Sequence, residues 1–261
     1  MPKPLLAFSV GLLLAAARPA GAQDVHDHVN MGIAAVQAHD LATGLAHFQA
    51  ALALDSTSYE ANWRGAIAMM DEGEMIPDSV KSARRDSLYA GAETLARRAV
   101  TADSARAEGH FALAAAIGRA SLTMGKKDRI RRAAVIRDEA LKCIAIDPRY
   151  DGAYHILGRW NAEIMRLSGL SRFFAKSFLG AGVFGKASWN AAISNMEKAV
   201  ELDPGRIYHR LELAEIYADR KRYADATREL DEAAALPDRE IMDPVYRRQA
   251  AALATKLARR K

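Results

Sequence analysis

The sequence has one cysteine, Cys143, so no intrachain disulfide braces the fold. The N-terminal apolar run, Leu5 to Ala17, is shorter than the roughly 20 residues that a membrane-spanning helix needs. No stretch alternates apolar and polar residues in a way that reads as a strand. Glycine and proline are sparse, 17 and 8 in 261 residues, and fall mainly at boundaries, so long helices go uninterrupted. Neither sign of charge dominates. Lys and Arg number 37 against 32 Asp and Glu, for a net +5. Without Lys3 and Arg18 of the N-terminal segment the balance is 35 against 32, or +3, which does not call for nucleic acid. H-E-x-x-H, C-x-x-C and G-x-S-x-G are all missing, so no catalytic residue, cofactor or metal site is expected.

What is present is alanine and helical periodicity, in a chain that is 50% hydrophobic. Apolar residues recur every three to four positions, which predicts an all-α protein. The segment 1–22 reads as a signal peptide. Lys3 precedes the apolar run, and Ala20-Gly21-Ala22 forms an A-x-A cleavage site. Cleavage after Ala22 would give an exported protein, in a bacterium most simply periplasmic. The prediction is a mature chain that begins at Gln23. N-terminal sequencing of the exported fraction checks it, and an intact Met1 there would refute it.

Residues 23–261 read as one helical-repeat domain. Five segments close alike, at Ser56, Ser104, Pro148, Pro204 and Asp238. Each has a small residue where two helices must approach closely: Ala51, Ala99, Cys143, Ala199 and Ala233. Each then ends in Asp-Ser, Asp-Pro or Pro-Asp, which stops a helix. The last interval is that of a plain tetratricopeptide repeat, about 34 residues, and the others are longer. The units are about 25–58, 59–104, 105–148, 149–204 and 205–238, with a capping helix in 239–261. In the fourth, Tyr154, Leu157, Gly158 and Asn161 match the repeat's first helix. Ala192, Met196, Ala199 and Pro204 match its second.

Within that unit, GRW at Gly158–Trp160 is followed by RLSGLSRFFAKSFLG and closes with EKAVELDP. NWRGA at Asn62–Ala66 opens the second unit. These segments resemble the regulator of microtubule dynamics family, over roughly Tyr59 to Asp243. The resemblance implies a tetratricopeptide-like α-helical solenoid with a binding or tethering role and no catalytic residues. Some eukaryotic members are associated with microtubules, and the family has been linked to membranes and lipids. The export signal departs from a microtubule setting.

The first helix of each unit lines the concave face of such a stack. By register, the groove residues are Trp63, Ile67, Phe111, His155, Arg159, Tyr208 and Leu211. Arg159 needs an anion, either Glu163 one turn on or a ligand. The second candidate is an apolar, basic insert, 168–186, with Arg172, Phe173, Phe174, Lys176, Phe178 and Phe184. It packs its rings against Trp160 and Met165, or it lids the groove. Within it, GAGVFGKA approaches a phosphate-binding loop but has Ala187 where the hydroxyl should be.

Other polar groupings read as solvated: His26, Asp27 and His28 near a frayed end, the Glu212–Glu215 pair, and the basic run Lys126, Lys127, Arg129, Arg131, Arg132 and Arg137. The run lacks interleaved aromatics to stack bases, so no nucleic-acid partner is expected. The expected function is a non-catalytic scaffold binding a protein or peptide partner. The alternative is a carrier or sensor of an apolar ligand such as a phospholipid, with an anionic lipid as partner. A peptide groove should be polar, with Asn and Lys clamps. A carrier should enclose an apolar cavity with one charged mouth.

Overall fold

The computed structural model describes residues 24–77, 80–121, 124–167, 185 and 187–259. The signal-peptide segment and almost all of the insert 168–186 lie outside the described residues. Arg172, Phe173, Phe174, Lys176, Phe178 and Phe184 are all among those outside.

Eleven helices and no strands are present among the described residues. They form five antiparallel pairs and a cap. These are α1 (Val25–Gln37) with α2 (Leu41–Leu54), α3 (Tyr59–Glu74) with α4 (Ala83–Ala102), and α5 (Ala107–Ser121) with α6 (Lys126–Ile146). Next come α7 (Asp151–Arg166) with α8 (Trp189–Leu202), α9 (Ile207–Asp219) with α10 (Tyr223–Ala235), and the cap α11 (Asp243–Ala258). No described helix is long and apolar enough to cross a membrane.

The aspartate that closes each of the first four units does two jobs. Asp55, Asp103, Asp147 and Asp203 are the C-caps of α2, α4, α6 and α8. Each side chain then accepts a backbone N–H two residues on, from Thr57, Ala105, Arg149 and Gly205, at 2.8, 2.9, 2.9 and 3.1 Å. This Asx-turn bends the chain into the next unit. The fifth unit ends differently: Asp238 receives Arg247 of the cap at 2.6 Å.

The helix pairs touch through their small residues. Ala51, Ala99, Cys143 and Ala199 are fully buried, and Ala233 nearly so. Gly158 shows what closeness demands. A Cβ there would lie 3.1 Å from the Met196 backbone nitrogen and 3.2 Å from the Ala192 carbonyl oxygen on α8. Neither backbone atom moves aside cheaply, so a side chain here would push α7 and α8 apart by a few tenths of an ångström.

The stack curls until its ends meet. Tyr246 of the cap donates its hydroxyl to Glu74 at the end of α3, at 3.0 Å. Ile241, just before the cap, packs against the cluster of Leu41, Leu45, Phe48 and Ala68 in the first two units. The turn carrying Ile241 is pinned by buried Asp243, whose carboxylate accepts the Arg239 and Glu240 amides, each at 2.7 Å. This contact between the ends deepens the concave face.

Candidate functional site

A cavity of about 850 Å³ occupies the concave side. Its walls are apolar, from Ile67, Phe111, Ile136, Ile156, Trp160 and Ile164 among others. Trp160 is fixed by donating its indole N–H to the Ala133 carbonyl at 2.7 Å. Gly118 of α5 also lines the space, with nothing within 4 Å of where a Cβ would sit.

Set into these walls is a polar layer that joins distant units. Arg119 pairs with Glu74 and donates to the Tyr208 hydroxyl at 3.2 Å. Arg159 donates to Glu212 at 2.7 Å and to the same hydroxyl. Arg206 pairs with Asp151 at 2.8 Å and with Glu240 at 3.0 Å. Arg166 pairs with Glu163 and Asp219, both at 2.7 Å, and Arg239 with Asp203 at 3.0 Å. Tyr208 stacks on Tyr246, ring centroids 4.2 Å apart and planes within 11°.

Beneath this layer, Asp151 accepts the Nε2–H of His209 at 2.7 Å, and the Nδ1 atoms of His209 and His155 lie 2.9 Å apart. A carboxylate only accepts, so His209 donates through Nε2. Neutral His209 then accepts at Nδ1 from His155, which leaves His155 Nε2 as a bare lone pair. That atom has no hydrogen-bond partner among the described residues. Burial first, then the neighbouring His209 imidazole and the charges of Arg159, Arg206 and Arg119, hold His155 well below the usual histidine pKa. Burial also lowers His209, against the pull of Asp151. Burial opposes the Asp151 carboxylate, yet the His209 hydrogen bond and the Arg206 charge outweigh it and hold its pKa well below the carboxylate range.

The structure brings together Ile67, Phe111, His155, Arg159 and Tyr208 around the cavity. Trp63 and Leu211 stand apart from it. The Trp63 indole donates to Glu60 at 3.0 Å and carries the Arg64 guanidinium on its ring, while Leu211, 2% exposed, packs into the core of the last units. The anion that Arg159 needs is Glu212 from the next unit, because Glu163 is taken by Arg166. Glu212 is thus 6% exposed and ion-paired, not solvated as its spacing from Glu215 suggested. Glu215 is the more exposed of the two, with its carboxyl pushed up to about 7 by partial burial and then by Glu212.

At the N-terminus, Asp27 completes a capping box with Asp24, and His28 meets His47 at 3.1 Å, so this end is a capped helix and not frayed. No cluster of metal-ligating side chains occurs among the described residues. In the basic run, Arg131 pairs with Asp128, Arg132 with Glu93 and Arg137 with Asp138. Arg129 is exposed and also lines the cavity. Sequence reasoning missed Arg119, Arg206, His209, Glu74 and Asp71. The available signal was a charge or imidazole amid the apolar positions of a first helix.

The family model for regulator of microtubule dynamics protein 1-3 matches residues 35–258. No curated protein matches the sequence. Among solved structures, the thermophilic TPR protein TTC0263 of Thermus thermophilus is 16% identical. That match covers 88% of this chain and 98% of the other, with a TM-score of 0.61. PilF of Pseudomonas aeruginosa is 15% identical over 90% of each chain, with a TM-score of 0.51. At these identities the likeness is one of fold: a tetratricopeptide-like solenoid.

Proposed function

The chain belongs to the regulator of microtubule dynamics protein 1-3 family, and from that premise we propose that it is a non-catalytic binding scaffold whose concave cavity holds an apolar ligand. Stacked repeats present a concave binding surface, and here its ends meet across a deep, partly open cavity. The observation that carries the reading is the make-up of that space. Its walls are largely apolar, and neither lysine nor asparagine is among its described lining residues. The clamps expected of a peptide groove are missing from those walls. The fold supports a second reading, in which a partner protein inserts an apolar side chain. The export reading adds a periplasmic setting, in which a microtubule partner has no place.

The neutral fluorescent probe N-phenyl-1-naphthylamine tests the cavity. Gly118→Trp projects an indole into the space where no atom lies within 4 Å of a Cβ. The wild-type protein should bind the probe saturably at about one per chain. Gly118→Trp should lose at least about tenfold in affinity, the effect of removing roughly 1.4 kcal/mol of binding, at unchanged helicity and Tm. Probe binding that survives Gly118→Trp would place it elsewhere and end the cavity reading.

A further inference from the structure

Apart from exposed Arg129, every guanidinium lining the cavity already has a carboxylate. Arg119 has Glu74, Arg159 has Glu212, Arg206 has Asp151 and Glu240, Arg166 has Glu163, and Arg239 has Asp203. His155 and His209 are held neutral by burial and add no positive charge. One acid in the wall is left over. Asp71 of α3 lines the cavity, partly buried, and its carboxyl makes no hydrogen bond or ion pair with any described residue. Three residues on, Glu74 is occupied by Arg119 and by the Tyr246 hydroxyl.

We propose that the cavity reads its ligand through Asp71, and that this ligand carries a primary amine on an apolar body. The inference rests on the cavity reading above and gives it a ligand class. Burial, then the like charges of Glu74 and Glu240, push the Asp71 carboxyl well above the ordinary carboxylate range, and Arg206 and Arg119 oppose this without cancelling it. An ammonium supplies the counter-charge that the protein does not. It turns a crowded carboxyl into a charge-assisted pair in a low-dielectric space, where such bonds are about twice as strong as neutral ones. An alcohol offers a neutral hydrogen bond only. A carboxylate would be a buried anion without a free counter-charge, since Glu74 and Glu240 already occupy the guanidiniums of Arg119 and Arg206. The one unpaired guanidinium it would find among the described lining residues is Arg129, which is solvent-exposed.

The test uses decylamine, decanol and decanoate, each competing against N-phenyl-1-naphthylamine on the full-length mature protein at neutral pH. All share one apolar chain and differ only at the head. Decylamine should displace the probe at about a tenfold lower concentration than decanol, the difference between a charged and a neutral hydrogen bond, and decanoate should be the weakest. Asp71→Asn keeps the shape of the side chain and breaks no hydrogen bond, so it should fold. It should bring decylamine to the level of decanol and leave decanol little changed. A direct measurement on the unaltered protein stands beside it: the ¹³C carboxyl shift of Asp71 should show its pKa falling when decylamine is added. Equal displacement by amine and alcohol, stronger displacement by decanoate, or an amine preference that survives in Asp71→Asn each overturns the assignment and leaves the apolar cavity standing. Failure of the probe and of all three amphiphiles to bind overturns the cavity reading as well.

Discussion

Arg119→Met is expected to lower the free energy of unfolding by about 3–5 kcal/mol, the cost of leaving one partner of a buried ion pair alone. Arg119 and Glu74 are both well buried, with side chains 18% and 13% exposed. Glu74 would keep only the Tyr246 hydroxyl. The loss should exceed that of a local contact because this pair is a tie between units. Glu74 sits at the end of α3, Arg119 on α5, Tyr208 on α9 and Tyr246 on the cap, so one network spans the curl of the stack. Arg119→Met/Glu74→Leu replaces the pair with apolar side chains and should recover most of the loss, since it removes the orphaned charge. Thermal melts followed by circular dichroism decide the matter. A single variant as stable as the wild type would show that the layer does not hold the curl.

Asp151→Ala should cost about 3 kcal/mol at pH 7, from two charge-assisted hydrogen bonds at about 1.5–3 kcal/mol each, partly recovered by Glu240. It strands the His209 Nε2–H and leaves Arg206 with Glu240 alone. The pH dependence carries its own sign. The folded-state pKa of Asp151 lies below its unfolded value. Its contribution is therefore complete above the unfolded carboxylate pKa, about 3.9, and is lost as pH falls through the folded value. The stability gap between wild type and Asp151→Ala should stay constant from pH 7 to about 5 and narrow below about 4. Urea melts of both proteins across that range measure it. A gap that does not narrow between about pH 4 and pH 2 would contradict the assignment of Asp151 as the ionised anchor of the His209–His155 chain.

The parts of this fold that were legible in the sequence are those with a local cause. An aspartate at the end of a second helix accepts an amide two residues away, so Asp55, Asp103, Asp147 and Asp203 mark unit boundaries without reference to the rest of the chain. Small residues at helix crossings leave a periodic trace for the same reason. Helical register also put Phe111, His155, Arg159 and Tyr208 on one face. Register does not say which neighbour a face meets. Glu212 looked solvated beside Glu215 because its partner, Arg159, lies a whole unit away. Asp151 and His209 are likewise a unit apart, and Glu74 reaches Tyr246 only because the stack curls on itself. That curvature is a sum of small rotations at every crossing, and no short motif encodes it.

Native mass spectrometry of the protein purified from its own host tests the central claim most directly, with Gly118→Trp purified alongside. The account predicts a bound small molecule of fixed mass on the wild type, released when the protein is denatured and extracted. It predicts none on Gly118→Trp, whose indole fills the same space in an otherwise intact fold. A wild-type protein that flies free of any ligand, or a Gly118→Trp protein that retains the same mass, would contradict it.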